Sequence, residues 1–108
     1  LFTFNHCSHS VYAVTHPQMY EYLPTDIEAM KPMNMQGANS IFIYPTKHVY
    51  HSFLYWWYLC ALDESCQAPP NITRPCPLVY QKGGERRNMY YAYCHRFDQS
   101  SMNILMGN

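Results

Sequence analysis

Hydrophobic residues along this chain come in short aromatic and β-branched runs, separated by proline and glycine breaks. The breaks fall at His16-Pro17, Leu23-Pro24, Lys31-Pro32, Tyr44-Pro45, Ala68-Pro69-Pro70, Arg74-Pro75-Cys76-Pro77 and Gly83-Gly84. Between them, composition and turn punctuation predict strands over residues 2–5, 10–15, 19–23, 40–44, 50–61, 78–82, 85–94 and 102–106. Short strands at regular spacing predict an all-β fold, an antiparallel β-sandwich or barrel-like single domain over residues 1–108. At most one short helix is expected. Thr25-Asp26-Ile27-Glu28 is a capping-box pattern, and Pro32 closes that helix after about a turn and a half.

Two stretches allow a sharper reading. Over 50–61, one strand face would carry Tyr50, Ser52, Leu54, Trp56, Tyr58 and Cys60, and the other His51, Phe53, Tyr55, Trp57, Leu59 and Ala61. Both faces are apolar, so the segment reads as a central strand covered on both sides, with a fully buried helix as the rival. The most apolar part, 53–62, is half the roughly twenty residues that a membrane-spanning helix needs, and it therefore reads as core. Gly83-Gly84 reads as a two-residue hairpin loop that would set Lys82 opposite Glu85, Tyr80 opposite Arg87 and Leu78 opposite Met89.

Composition narrows the function classes. Charged residues are 13% of the chain, against ~25% in ordinary domains, and seven Lys plus Arg balance seven Asp plus Glu. That balance argues against a nucleic-acid-binding surface and an acidic solvating tail alike. With 48% hydrophobic and 17% aromatic residues, the chain has enough apolar surface to offset its conformational entropy. Eleven Tyr, five Phe, two Trp and seven Met exceed what a small core can hide, so some are expected at the surface.

Five cysteines, Cys7, Cys60, Cys66, Cys76 and Cys94, contain no C-x-x-C pair, which disfavours zinc fingers and thioredoxin-type sites. Disulfides in an oxidising compartment fit better. Asn71-Ile72-Thr73 is a glycosylation acceptor inside a Pro-rich loop bracketed by Cys66 and Cys76. Secretion is expected; no signal peptide is visible at Leu1-Phe2-Thr3-Phe4-Asn5, so the chain would be a mature product. Two bridges leave one thiol over, either buried as a small apolar group or paired with another chain.

Residues 5–14, Asn-His-Cys-Ser-His-Ser-Val-Tyr-Ala-Val, resemble the opening of thaumatin-like proteins and of their small fungal secreted relatives, the yeast-phase-specific family. Looser echoes are 40–44, Cys76-Pro77, and Cys94 followed by Asp98 and the apolar 103–106 segment. The chain departs from the family in having no Cys after Met106 and no cluster of acids matching the family's acidic cleft. The resemblance implies a secreted β-sandwich with Cys7 bridged to Cys94, and a carbohydrate-binding defence or effector role. Cys66 and Cys76 are the other disulfide candidates, and Cys60 is the candidate for the unpaired thiol.

Chemistry-bearing clusters are sparse. His6, Cys7 and His9, with His48, His51 and Cys94-His95, could suit zinc or copper, but in a strand His6 and His9 point to opposite faces. Asp63 and Glu64 could serve a paired-carboxylate hydrolase, yet an acidic pair after an apolar run is usually a solvated turn. No phosphate-binding glycine loop precedes a helix. The sequence thus predicts no enzyme, no catalytic or metal residues and no cofactor. The expected function is an extracellular structural glycoprotein that packs against copies of itself, forming a homo-oligomer or filament. Trp56, Trp57, Tyr80 and Tyr90 are the aromatic candidates for an interface or for stacking on sugar, with core packing as the rival role. Strand edges at 2–5 or 102–106 would allow neighbouring copies to pair.

Overall fold

Side-chain caps mark where several helices begin. Asp26 accepts from the Glu28 N–H at 3.0 Å, Thr46 from the Val49 N–H at 3.1 Å and Asp63 from the Cys66 N–H at 3.1 Å. A short side-chain oxygen satisfies an amide at the helix start, where backbone partners are lacking or, as for Cys66, shared with the Asp63 carbonyl. The first of these starts the helix expected near residue 26, although Asp26 rather than Thr25 is its cap.

The computed structural model describes residues 2–3, 6–72 and 90–107. In chain order the elements are β1 (Phe2–Thr3), β2 (His6–Ser10), a 3-10 turn (Tyr12–Val14), α1 (Met19–Tyr22), α2 (Ile27–Met30), β3 (Asn34–Gln36) and β4 (Ile41–Phe42). Then come α3 (Lys47–Val49), a π-helical turn (Tyr50–Leu54), α4 (Tyr55–Leu62), α5 (Glu64–Gln67) and α6 (Phe97–Gly107). Strands form only two antiparallel pairs. β1 meets β4 with Phe2 opposite Phe42, and β2 meets β3 with His6 opposite Gln36 and a register shift before Ser10 reaches Asn34.

The all-β sandwich or barrel is therefore wrong: most of the regular structure among the described residues is helical. Segments 50–61 and 102–106 and all but the last residue of 19–23, expected as strands, lie in helices, and residues 12–14 of the expected strand 10–15 form the 3-10 turn. Strands do occur within 2–5 and 40–44. The Gly83-Gly84 hairpin with its 78–82 and 85–89 arms lies outside the described residues, and 90–94 is irregular.

The error at 50–61 has a physical source. A run that is apolar at nearly every position satisfies a two-residue and a 3.6-residue period equally, so periodicity cannot decide between them. Phe53, Trp57 and Cys60 recur at helical spacing and turn inward. Against them lies α6, whose Ser101 hydroxyl accepts from the Trp57 indole N–H at 3.1 Å. The rival reading also needs correction, because this helix is not buried all round: Tyr55, Tyr58, Leu59 and Leu62 are exposed.

Methionine fills much of the core. Met19, Met30, Met35 and Met102 are fully buried beside Val11, Val14 and Ile104. An unbranched thioether suits the irregular gaps between short helices and small strand pairs. α6 crosses this core with polar residues turned inward, each satisfied. Asn103 accepts from the Gln36 N–H at 2.7 Å and donates to the Gln36 and Gln99 carbonyls at 3.0 and 2.8 Å. Ser100 accepts from the Thr15 hydroxyl at 3.0 Å and donates to the Val14 carbonyl. Buried polar groups at 100, 101 and 103 are hard to foresee in a sequence, and they carry this helix across the core. The proposed strand edge at 102–106 is accordingly absent, its residues being buried except for the half-buried Met106.

Candidate interaction surface

Among the described residues, the continuous helical stretch from Lys47 to Leu62 positions a group of exposed aromatic side chains. At about 100° per residue, the inward set Phe53, Trp57 and Cys60 leaves Tyr55, Tyr58, Leu59 and Leu62 on the opposite side. Tyr58 is 62% exposed and Leu62 67%. Tyr50 extends the patch along the π-helical turn, its ring 6.3 Å from that of Tyr55, which in turn meets Trp56 edge-on at 5.6 Å. Residues 50–62 contain no Asp, Glu, Lys or Arg.

The patch runs into an open cleft of about 150 Å³ between α1 and the α4–α5 junction. Tyr22 and Leu23 form one wall and Trp56 and Leu59 the other, with Cys60 and Cys66 between them and Asp63 at the rim. Cys60 and Cys66 are joined by a disulfide, their Cα atoms 5.3 Å apart. Six residues apart, they can meet because the chain turns at Asp63, leaving α4 and starting α5.

The structure places most of the sites expected from the sequence. Trp56 is exposed on the cleft, whereas Trp57 is packed against α6 and donates its indole N–H to Ser101; the two tryptophans therefore have separate roles. Tyr90 is exposed, and Tyr80 lies outside the described residues. Asn71 is exposed in a turn with φ 62°, a left-handed conformation that asparagine tolerates better than most residues. Thr73 of the same acceptor motif lies outside the described residues.

The cysteine expectations need correction. Cys60, expected unpaired, is bonded to Cys66, because helical rather than extended geometry brings those two together. Among the described residues Cys7 is the free thiol, half-buried on β2 and accepting from the Gln99 amide at 3.3 Å. Cys94 is oxidised but not to Cys7, so the Cys7–Cys94 bridge implied by the thaumatin-like opening does not form. Cys76 lies outside the described residues. Asp63 and Glu64 are exposed, Asp63 acting as the α5 cap. Among the described residues, no cluster of three or more His, Cys, Asp or Glu side chains could hold a metal ion.

His95, which the sequence offers only beside Cys94 as a candidate metal ligand, has a structural role that sequence reasoning missed. Its ring is fully buried, Nδ1 accepting from the His16 N–H at 3.1 Å and Nε2 facing the Gln67 carbonyl at 3.0 Å. Because Nδ1 accepts, Nε2 must carry the proton, and the neutral ring ties three separate segments together. Burial pushes its pKa down from 6.5 to about 4, with nearby His16 acting in the same direction and the Gln67 carbonyl opposing. A larger open cavity of about 460 Å³ borders His95, Arg96, Phe97, Asp98 and Gln99. Both ring nitrogens of His95 are already engaged, so its imidazole is a structural strut rather than a base serving that cavity. Burial also raises the Tyr20 and Tyr91 phenols, which stay neutral at physiological pH. No signal in the sequence marks this role, which comes from burial and from hydrogen-bond partners 28 and 79 residues away.

No family model, curated protein or solved structure matches the chain. Function therefore has to be argued from this surface alone. Among the described residues, no helix is long and apolar enough to cross a membrane.

Proposed function

We propose that this protein is a non-enzymatic, extracellular structural glycoprotein that associates with copies of itself as a subunit of a filament, coat or wall. The observation that carries the reading is the charge-free aromatic face of 50–62. Tyr55, Tyr58 and Leu62 are exposed on the outward side of α4, while the exposed Tyr22 and Trp56 line the cleft beside it. Exposed apolar residues gathered around one helix in this way are often functional.

A second copy suits this face because two uncharged surfaces meet without repulsion, and the zero formal net charge removes long-range opposition as well. Aromatic residues are enriched at interface centres, where Lys and Glu are depleted. The Cys60–Cys66 bridge, the oxidised Cys94 and the exposed Asn71 support an extracellular setting. Sedimentation over a micromolar concentration series tests the reading. Wild type should form larger species on concentrating, and the double variant Tyr58→Glu/Leu62→Glu should remain a monomer. A wild type that stays near 12.8 kDa plus glycan ends it. Retention of such a monomer on insoluble glucan or chitin, lost in Trp56→Ala, would establish sugar binding in its place.

A further inference from the structure

The cleft between α1 and the α4–α5 junction has a lining that selects its guest by charge. Tyr22 and Trp56, both exposed, contribute an aromatic side chain each, Leu23 and Leu59 add aliphatic surface, and Asp63 stands at the rim. Among the described residues around the cleft, Asp63 is the one that carries a charge. Its Oδ1 accepts from the Cys66 N–H at 3.1 Å, and Oδ2 has no hydrogen-bond partner among the described residues. A carboxylate oxygen without a partner is thus set beside aromatic rings, whose faces carry negative potential as well. A cation complements both.

Size and hydrogen bonding narrow which cation fits. The cleft holds about 150 Å³, enough for a benzene-sized group, and it opens to solvent, so the rest of a longer molecule stays outside. A lysine ammonium or an arginine guanidinium carries several N–H donors. In a lining of rings, aliphatic chains and sulfur with a single carboxylate, most of those donors would be desolvated without a partner. A trimethylammonium group has no N–H to satisfy and turns methyl groups, not donors, toward aromatic and aliphatic walls. We propose that this cleft binds a quaternary ammonium head group, held by cation–π attraction to Trp56 and Tyr22 and by the Asp63 carboxylate. The site is independent of self-association, because every residue it uses belongs to one copy of the chain.

The probe is choline, titrated into wild type below the concentration at which copies associate and followed by tryptophan emission. Trp56 reports on the cleft, whereas Trp57 donates to Ser101 on α6 and supplies a constant background. Choline should change the emission saturably. Its uncharged isostere, with a tert-butyl group in place of trimethylammonium, should bind at least about tenfold more weakly. Asp63→Asn separates charge from structure, since asparagine also caps helices; it should weaken choline about threefold and leave the isostere unchanged. Tyr22→Leu, which keeps an apolar wall and removes the ring, should likewise weaken choline more than the isostere. Phosphatidylcholine vesicles identify the carrier. Co-sedimentation that free choline reverses assigns the group to a lipid head, and its absence with choline binding intact assigns it to a dissolved molecule. Equal binding of choline and its isostere, choline binding unchanged in both variants, or emission that choline does not alter overturns the site.

Discussion

Acidification should destabilise the fold through His95. The unfolded chain takes up a proton on this ring near pH 6.5 and the folded chain only near pH 4. Between those values the unfolded state binds more protons, so stability falls as pH falls. At 1.36 kcal/mol per pKa unit, the difference corresponds to about 3 kcal/mol, present in full above pH 6.5 and lost by pH 4. That is a large share of the roughly 5–15 kcal/mol by which domains are stable. Burial is the cause, and the geometry acts in the same direction: a proton on Nδ1 would meet the His16 N–H that now donates to it. The assay is urea denaturation across this pH range for wild type and His95→Gln. The variant should be less stable at neutral pH by about 2 kcal/mol, through lost hydrogen bonding and packing. Subtracting the two stability curves cancels the other titrating groups and isolates His95. The difference should shrink on acidification with a slope approaching 1.36 kcal/mol per pH unit. Parallel curves would refute the assignment of His95 as a buried neutral strut.

Three further outcomes can be checked. Asn103→Ala should lower stability by about 2–3 kcal/mol in chemical denaturation, because a buried side chain that serves both backbone groups of Gln36 is removed. Trp57→Ala should cost about 3–4 kcal/mol and Trp56→Ala about 1 kcal/mol or less, since only Trp57 is packed on α6; similar costs would contradict the helical placement of 55–62. Expressed through a eukaryotic secretory pathway, the protein should carry a glycan seen in intact mass and absent from Asn71→Gln.

What the sequence determined by itself was the chemistry available and some local signals. The capping box placed a helix near Asp26 because a side-chain oxygen two residues from an amide acts locally, whatever the rest of the chain does. The 2–5 and 40–44 segments were legible as strand-forming for the same reason, through β-branched and aromatic composition. Balanced charge and an excess of aromatics over what a small core can hide pointed to exposed rings. Which rings, and on what element, came only from tertiary structure. Trp56 and Trp57 are neighbours in an all-apolar run, and only packing against α6 turns one inward and leaves the other on the cleft. The same helix brings Cys60 to Cys66, a pairing that a strand reading could not reach. His95 shows the limit most clearly: its protonation depends on a carbonyl at 67 and an amide at 16, partners that nothing near position 95 in the sequence specifies. Composition and caps act over a few residues, whereas burial and long-range hydrogen bonds exist only once distant segments have met.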